Sequence, residues 1–216
     1  MKRKKVFSLV FGGLLITGLS IITLTVLGEE SRPSINSSSV PIDNKEKRIP
    51  VHAELNVEPL EKTIQTMSDL VAEVEIGNII KEMDEPGPKT IYSAKVLDVL
   101  SGDETLKEIS VLQQGNSRYE FNGNRMFKSG EKYILVLKNA PELGESVYWI
   151  RGEETQIYEV LEDNDLLRWS TPFENELIDI EKEKKVKVTN ILKEKNYKII
   201  DKKLFKEKIK KIKKND

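Results

Sequence analysis

Residues Thr90 to Leu100 read TIYSAKVLDVL, and this stretch decides the fold. Tyr92, Ala94, Val96 and Val99 alternate with Ser93, Lys95 and Asp98, the two-residue period of a strand with one buried face. A helix needs apolar residues three and four apart, which this order does not supply. Ser101-Gly102-Asp103 ends the run with residues that favour a turn.

The same texture extends in both directions. Upstream, Leu70 to Ile76 (LVAEVEI) carries β-branched Val71, Val74 and Ile76, and Asp84-Glu85-Pro86-Gly87-Pro88 separates it from the next strand. Downstream, Lys107 to Gln113 (KEISVLQ) stops at Gly115-Asn116. Asn122-Gly123 can take the positive φ of a tight primed turn, which predicts a hairpin within Tyr119 to Phe127. Lys132 to Lys138 (KYILVLK) is a nearly continuous apolar run, which predicts burial on both faces. Ser146 to Arg151 (SVYWIR) and Gln156 to Leu161 (QIYEVL) predict a last pair across Gly152-Glu153-Glu154. Six or seven short strands at this spacing predict a mainly β domain, an antiparallel barrel or sandwich. Before them, Pro59 to Ser68 places Leu60, Ile64 and Met67 on one face of a short helix.

The succession LVAEVEI, TIYSAKVLDVLSGD, KEISVLQQG, FKSGEKYILVLK, YWIRG and QIYEVL, from about Asp69 to Leu161, resembles an OB-type barrel of exported or membrane-anchored Gram-positive proteins. It is similar to the netrin or TIMP-like branch of OB folds. Its most specific piece is Phe127, Gly130, Glu131 and Tyr133 to Leu137. TIMP-like inhibitors act through an amino-terminal cysteine on a protease metal, and their barrels are braced by disulfides. This chain has no Cys, so the resemblance implies the small antiparallel OB-like barrel and carries over no functional residue.

Charge is segregated along the 216 residues although the net charge is −1. The stretch 31–180 holds 16 basic against 28 acidic residues, and 181–216 holds fifteen Lys against six acids. An acidic body repels a phosphate backbone, so specific nucleic-acid binding by the barrel is disfavoured. The absence of Cys excludes thiolate metal sites, a cysteine nucleophile and attachment at a lipobox.

Val6 to Gly28 (VFSLVFGGLLITGLSIITLTVLG) runs 23 residues without a charge. As a helix it spans about 34 Å at about 1.5 Å per residue, the thickness of a hydrocarbon core. Lys2, Arg3, Lys4 and Lys5 precede it and predict a cytoplasmic start with the rest of the chain outside. Two readings compete: a signal peptide, cleaved near Val26-Leu27-Gly28 to give a secreted protein, and a buried helix of a soluble protein, for which this length is unusual. Residues 29–50 are rich in Ser, Asn, Pro and charge and predict a disordered linker.

At the other end, Asp201 suits an N-cap, and Leu204, Phe205, Ile209 and Ile212 form one stripe among eight lysines between Lys202 and Lys214. This basic amphipathic helix predicts either a hold on anionic lipid or a cell-wall polymer, or an apolar stripe packed on the barrel with solvated lysines.

No pattern of residues carries catalysis. His52 is the sole histidine and has no general-base partner. Asp163-Asn164-Asp165 with Glu174 starts like a calcium loop, but Leu167 and Arg168 occupy positions that need a ligand and a glycine. Trp149 with Tyr148, and Tyr119 with Phe121, are either core aromatics or exposed stacking platforms. The sequence thus assigns no catalytic, cofactor-binding or metal-ligating residue. It predicts a basic flank 1–5, a transmembrane helix 6–28, a linker 29–50, a barrel domain 51–165 and a charged tail 166–216. The expected function is a non-catalytic binding or interaction module held outside the membrane, with an anionic polymer or a protein as partner. A secreted inhibitor or immunity-type protein, and a surface hydrolase with paired carboxylates, are the alternatives.

Overall fold

The computed structural model describes residues 48–173, 175–183 and 197–214. The predicted basic flank, membrane helix, nearly all of the linker, Glu174 and residues 184–196 of the tail lie outside them.

The described residues are mainly β, built around a closed five-stranded barrel. Its strands are β2 (Leu70–Met83), β3 (Lys89–Ser101), β4 (Glu108–Gln114), β6 (Lys132–Asn139) and β7 (Val147–Ile150). The hydrogen-bonded ring runs β6-β2-β3-β4-β7 and returns to β6. All pairs are antiparallel except β4 with β7, where Ser110 opposes Val147 and Leu112 opposes Trp149. This order is compatible with an OB-like fold. β1 (Ile49–Val51) and β5 (Tyr119–Phe121) form a separate parallel pair.

The run KYILVLK becomes β6, and Tyr133 to Leu137 are fully buried, as its unbroken apolar pattern requires. One edge of β6 bonds β2; the other is divided. Leu137 to Asn139 pair with β7, whereas Tyr133 to Leu135 pair with β8 (Ile157–Val160). The predicted hairpin of these last two strands therefore does not form. Gly152, at φ 69, and a 3-10 turn, Glu153–Gln156, carry the chain from one half of β6 to the other.

From β8 the sheet continues through β9 (Leu166–Arg168) to β10 (Lys198–Ile200), past residue 165 where the sequence pattern fades. Each has three residues, too few to show a period. The hairpin expected at Asn122-Gly123 is also absent. The turn forms, with φ of 48 and 69, but Asn124 onward runs as a loop that sends Phe127 into the barrel.

Alternation along β2 divides two cores. Leu70, Ala72, Val74 and Ile76 face the barrel interior, with Tyr92, Phe127, Tyr133, Leu135 and Trp169. Ring centroids there lie 4.5 Å apart for Phe127 and Tyr133 and 6.0 Å for Tyr133 and Trp169. Val71 points outward, as do Ile134 and Val136 of β6, into a second core closed by two helices. The first, α1 (Leu60–Lys62), continues into a π-helical turn, Thr63–Met67, and contributes Leu60 and Ile64. The second, α2 (Lys202–Lys214), contributes Phe205, Ile209 and Ile212. The Asp201 side chain accepts the Leu204 backbone N–H at 2.9 Å, the cap expected from sequence. Leu204 stays exposed.

Glu73 fastens α2 to the sheet. It is buried on the outward face of β2, at 2.7 Å from Lys202 and 2.5 Å from Lys206. Lys206 also reaches Asp98 at 3.0 Å. Burial alone would raise the Glu73 pKa, but the hydrogen bonds from Lys202 and Lys206 outweigh it and hold the carboxyl below the usual range. Its contribution to stability is thus present above the ordinary glutamate pKa of 4.5 and is lost as pH falls below it.

A Glu73→Ala variant leaves Lys202 buried without its carboxylate. It should lose about 3 kcal/mol in urea denaturation at neutral pH. Phe205→Ala, which empties a fully buried site, should lose about 3–5 kcal/mol.

Candidate functional site

The most prominent exposed element is the distal part of the β2–β3 hairpin. β2 parts from β6 after Ile76, whose N–H bonds Glu131 O and whose carbonyl accepts Gly130 N–H. Beyond that point β2 pairs with β3 alone and projects as an arm. Two register shifts bend it, between Ile76 and Ile79 and between Ile79 and Lys81. At the first, Asn78 N–H donates to Ser93 Oγ at 2.9 Å. A Cβ on Gly77 would lie 2.3 Å from that oxygen, so the approach requires glycine.

These bulges break the in-out alternation and turn two adjacent apolar side chains to solvent. Ile79 is 55% and Ile80 58% exposed. Ile80 overhangs a groove of about 580 Å³ on the outer barrel face, floored by Gly77, Ser93 and Ser110. One side of the groove is a row of alternating charge, Glu75, Lys95 and Glu108 opposing one another in register on three strands, and Lys132 of β6 continues the row beyond the groove. Lys132 stands 3.7 Å from Glu75, a solvated pair worth little energy but fixing a polar border.

The loop after β5 caps the nearby barrel mouth. Gln113 is fully buried, donates to Arg125 O at 2.9 Å and accepts Phe127 N–H at 3.0 Å. Arg125 then joins two carboxylates, reaching Glu131 and Glu159 at 2.8 Å each, with its guanidinium 5.1 Å from the Trp169 ring centre. Tyr133 donates to Glu131 at 2.6 Å, and Trp169 Nε1–H to Glu159 at 3.0 Å.

A cavity of about 470 Å³ beside this cluster is lined by Glu73, Glu131, Glu159, Glu162, Lys132 and Lys202. Here carboxylates do converge, as a hydrolase with paired carboxylates requires. Burial raises the Glu131 pKa, but bonds from Tyr133, Arg125 and the Lys128 N–H outweigh it and keep the group ionised. A glycosidase-type acid needs the opposite shift.

The acid with a raised pKa is elsewhere. Glu153 is fully buried in the turn between β7 and β8, and burial together with the adjacent Glu154 pushes it up to about 8. It lines neither the groove under Ile80 nor the cavity beside Arg125.

The aromatic candidates separate. Phe121 is buried, while Tyr119, Tyr148 and Trp149 are half-buried. Arg151 lies 4.9 Å over the Trp149 ring and Arg118 5.8 Å from that of Tyr119. His52 is exposed. In the former calcium-loop candidate, Asp165 pairs with Lys182 at 2.6 Å, and Asn164 accepts from Lys202 at 2.8 Å.

Among the described residues, no three His, Asp or Glu side chains gather as a metal site, and no helix is long and apolar enough to cross a membrane. Sequence reading missed the exposed Ile79 and Ile80. Their signal is three apolar residues, Ile76, Ile79 and Ile80, placed around Gly77-Asn78 at neither strand nor helix period. No model of a known protein family matches the chain, and no curated protein matches it.

Arg125→Gln leaves two half-buried carboxylates on the barrel mouth unpaired. It should cost about 2–4 kcal/mol in urea at pH 7. In an NMR titration it should raise the Glu131 pKa toward or above 4.5.

Proposed function

We propose that the protein is a membrane-anchored, extracytoplasmic interaction module that engages a protein partner through the β2–β3 arm. The observation that carries this reading is the adjacent exposed pair Ile79 and Ile80, the second of which lines an open groove with a charged border. Exposed apolar residues held on a rigid projection, rimmed by charge, are the chemistry of a protein-binding patch. The barrel supplies the rigidity and the bulges supply the exposure.

The topology rests on the sequence: a 23-residue uncharged run behind Lys2 to Lys5 supports an anchor with the barrel outside. On this reading the domain is an OB-like, netrin or TIMP-like barrel of the kind exported by Gram-positive cells, and it works by contact rather than catalysis. The tail supports a second, electrostatic contact with an anionic lipid or wall polymer. Its apolar stripe is engaged in the second core, so that contact falls to outward lysines such as Lys203, Lys210 and Lys211.

The chain lacks cysteine, so one introduced thiol gives an unambiguous reporter. With Lys128→Cys, a membrane-impermeant thiol reagent should label intact cells; labelling only after permeabilisation would refute the extracytoplasmic placement. A photo-crosslinker at position 80 should give a discrete heavier adduct in cells, and one at the exposed position 142, remote in sequence from both the arm and the tail, should not. Equal or absent adducts at both positions would remove the arm as the contact.

A further inference from the structure

The turn Glu153–Gln156 is polar in sequence yet buried throughout, with exposures of 4% at Glu153, 8% at Glu154, 4% at Thr155 and 1% at Gln156. Three of the four are held. Asn124 donates to Glu154 at 3.0 Å, Arg168 Nε donates to the Thr155 carbonyl at 3.1 Å, and Tyr158 donates to Gln156 at 3.1 Å. Glu153 is the exception: neither of its carboxyl oxygens has a hydrogen-bond partner. Its backbone lies in the left-handed region, at φ 43, directly after Gly152 at φ 69.

The surroundings supply no cation to this carboxyl. Glu154, on the same turn, is a like charge. From β4 the Gln114 backbone N–H faces it without forming a proper hydrogen bond. Arg48 meets Glu120 at 3.2 Å and the Asn124 carbonyl at 3.3 Å, both through Nη2, and its Nη1 is buried without a hydrogen-bond partner, so it too leaves Glu153 unpaired. Arg168 is engaged by Glu176 at 2.6 Å, and Arg151 lies over the Trp149 ring. An ionised carboxylate without a partner cannot stay in such a place at acceptable cost, whereas a neutral one can.

We propose that the turn Glu153–Gln156 is a pH-operated latch, closed while Glu153 carries its proton and released from the barrel flank when Glu153 ionises. Its position gives it leverage, because it is the link by which the chain passes from β7 to β8 along the divided edge of β6. The linkage sign follows from a folded pKa of about 8 against 4.5 for an ordinary glutamate. The closed turn is fully favoured below pH 4.5 and loses that advantage as pH rises to about 8.

The test is hydrogen exchange of the full chain in detergent, read by mass spectrometry on peptides covering 150–158 and corrected for the intrinsic pH dependence of exchange. One linked proton predicts an opening constant that grows about tenfold per pH unit between about pH 5 and 8, with β2 and β3 unaffected. In Glu153→Gln the dependence should vanish. A flat wild-type profile, or the same slope in Glu153→Gln, would overturn the proposal. Infrared spectroscopy of the wild type needs no variant: the folded protein at pH 7 should show the carbonyl band of a buried protonated carboxylic acid, and its absence would equally overturn it.

Discussion

β6 is the strand on which everything else depends. Its five central residues are buried on both faces, and its two edges are shared among three strands. One face of Tyr133, Leu135 and Leu137 fills the barrel, and the other, Ile134 and Val136, meets the helices. Because one segment serves both cores, neither forms independently of the other. The division of its second edge is also what creates the β7–β8 link and buries a polar turn there.

Charge does in this molecule what the composition concealed. Part of the apparent conflict between an acidic body and a basic tail is resolved by contact: Lys202 and Lys206 meet Glu73, Lys206 meets Asp98, and Lys208 meets Asp179. Only the first of these is deeply buried, so only it carries large energy; the Lys208 pair sits in solvent and contributes little. Arg168 and Glu176 form the corresponding tie on the other helix, since Glu176 also accepts the Leu60 backbone N–H at the start of α1.

The parts legible in sequence were those with a long period. Strand alternation in Thr90 to Leu100, the unbroken run before Lys138, the Leu60 and Ile64 face and the Asp201 cap all appear where the pattern put them. What was not legible has a common physical cause: local signals were overridden by distant partners. Asn122-Gly123 makes its turn, but β5 finds β1 rather than a neighbour. Leu166 to Arg168 and Lys198 to Ile200 are strands only because β8 offers them an edge. The binding arm was half visible, since β2 was expected to end at Ile76, whereas bulges prolong it to Met83. A buried Glu153 has no sequence signature at all, because an acidic pair after glycine reads as surface.

The shared strand implies a single cooperative body. The chain has two tryptophans, Trp149 on β7 in the barrel and Trp169 just past β9 in the extension. In Trp149→Phe and Trp169→Phe, each remaining tryptophan can be followed during urea unfolding together with far-ultraviolet circular dichroism. Coincident fluorescence and dichroism midpoints within each variant are expected. A Trp169 transition separated from the loss of strand signal would show that the extension, whose Tyr158 and Leu166 belong to the second core, leaves the barrel by itself and that β6 does not unite the two cores.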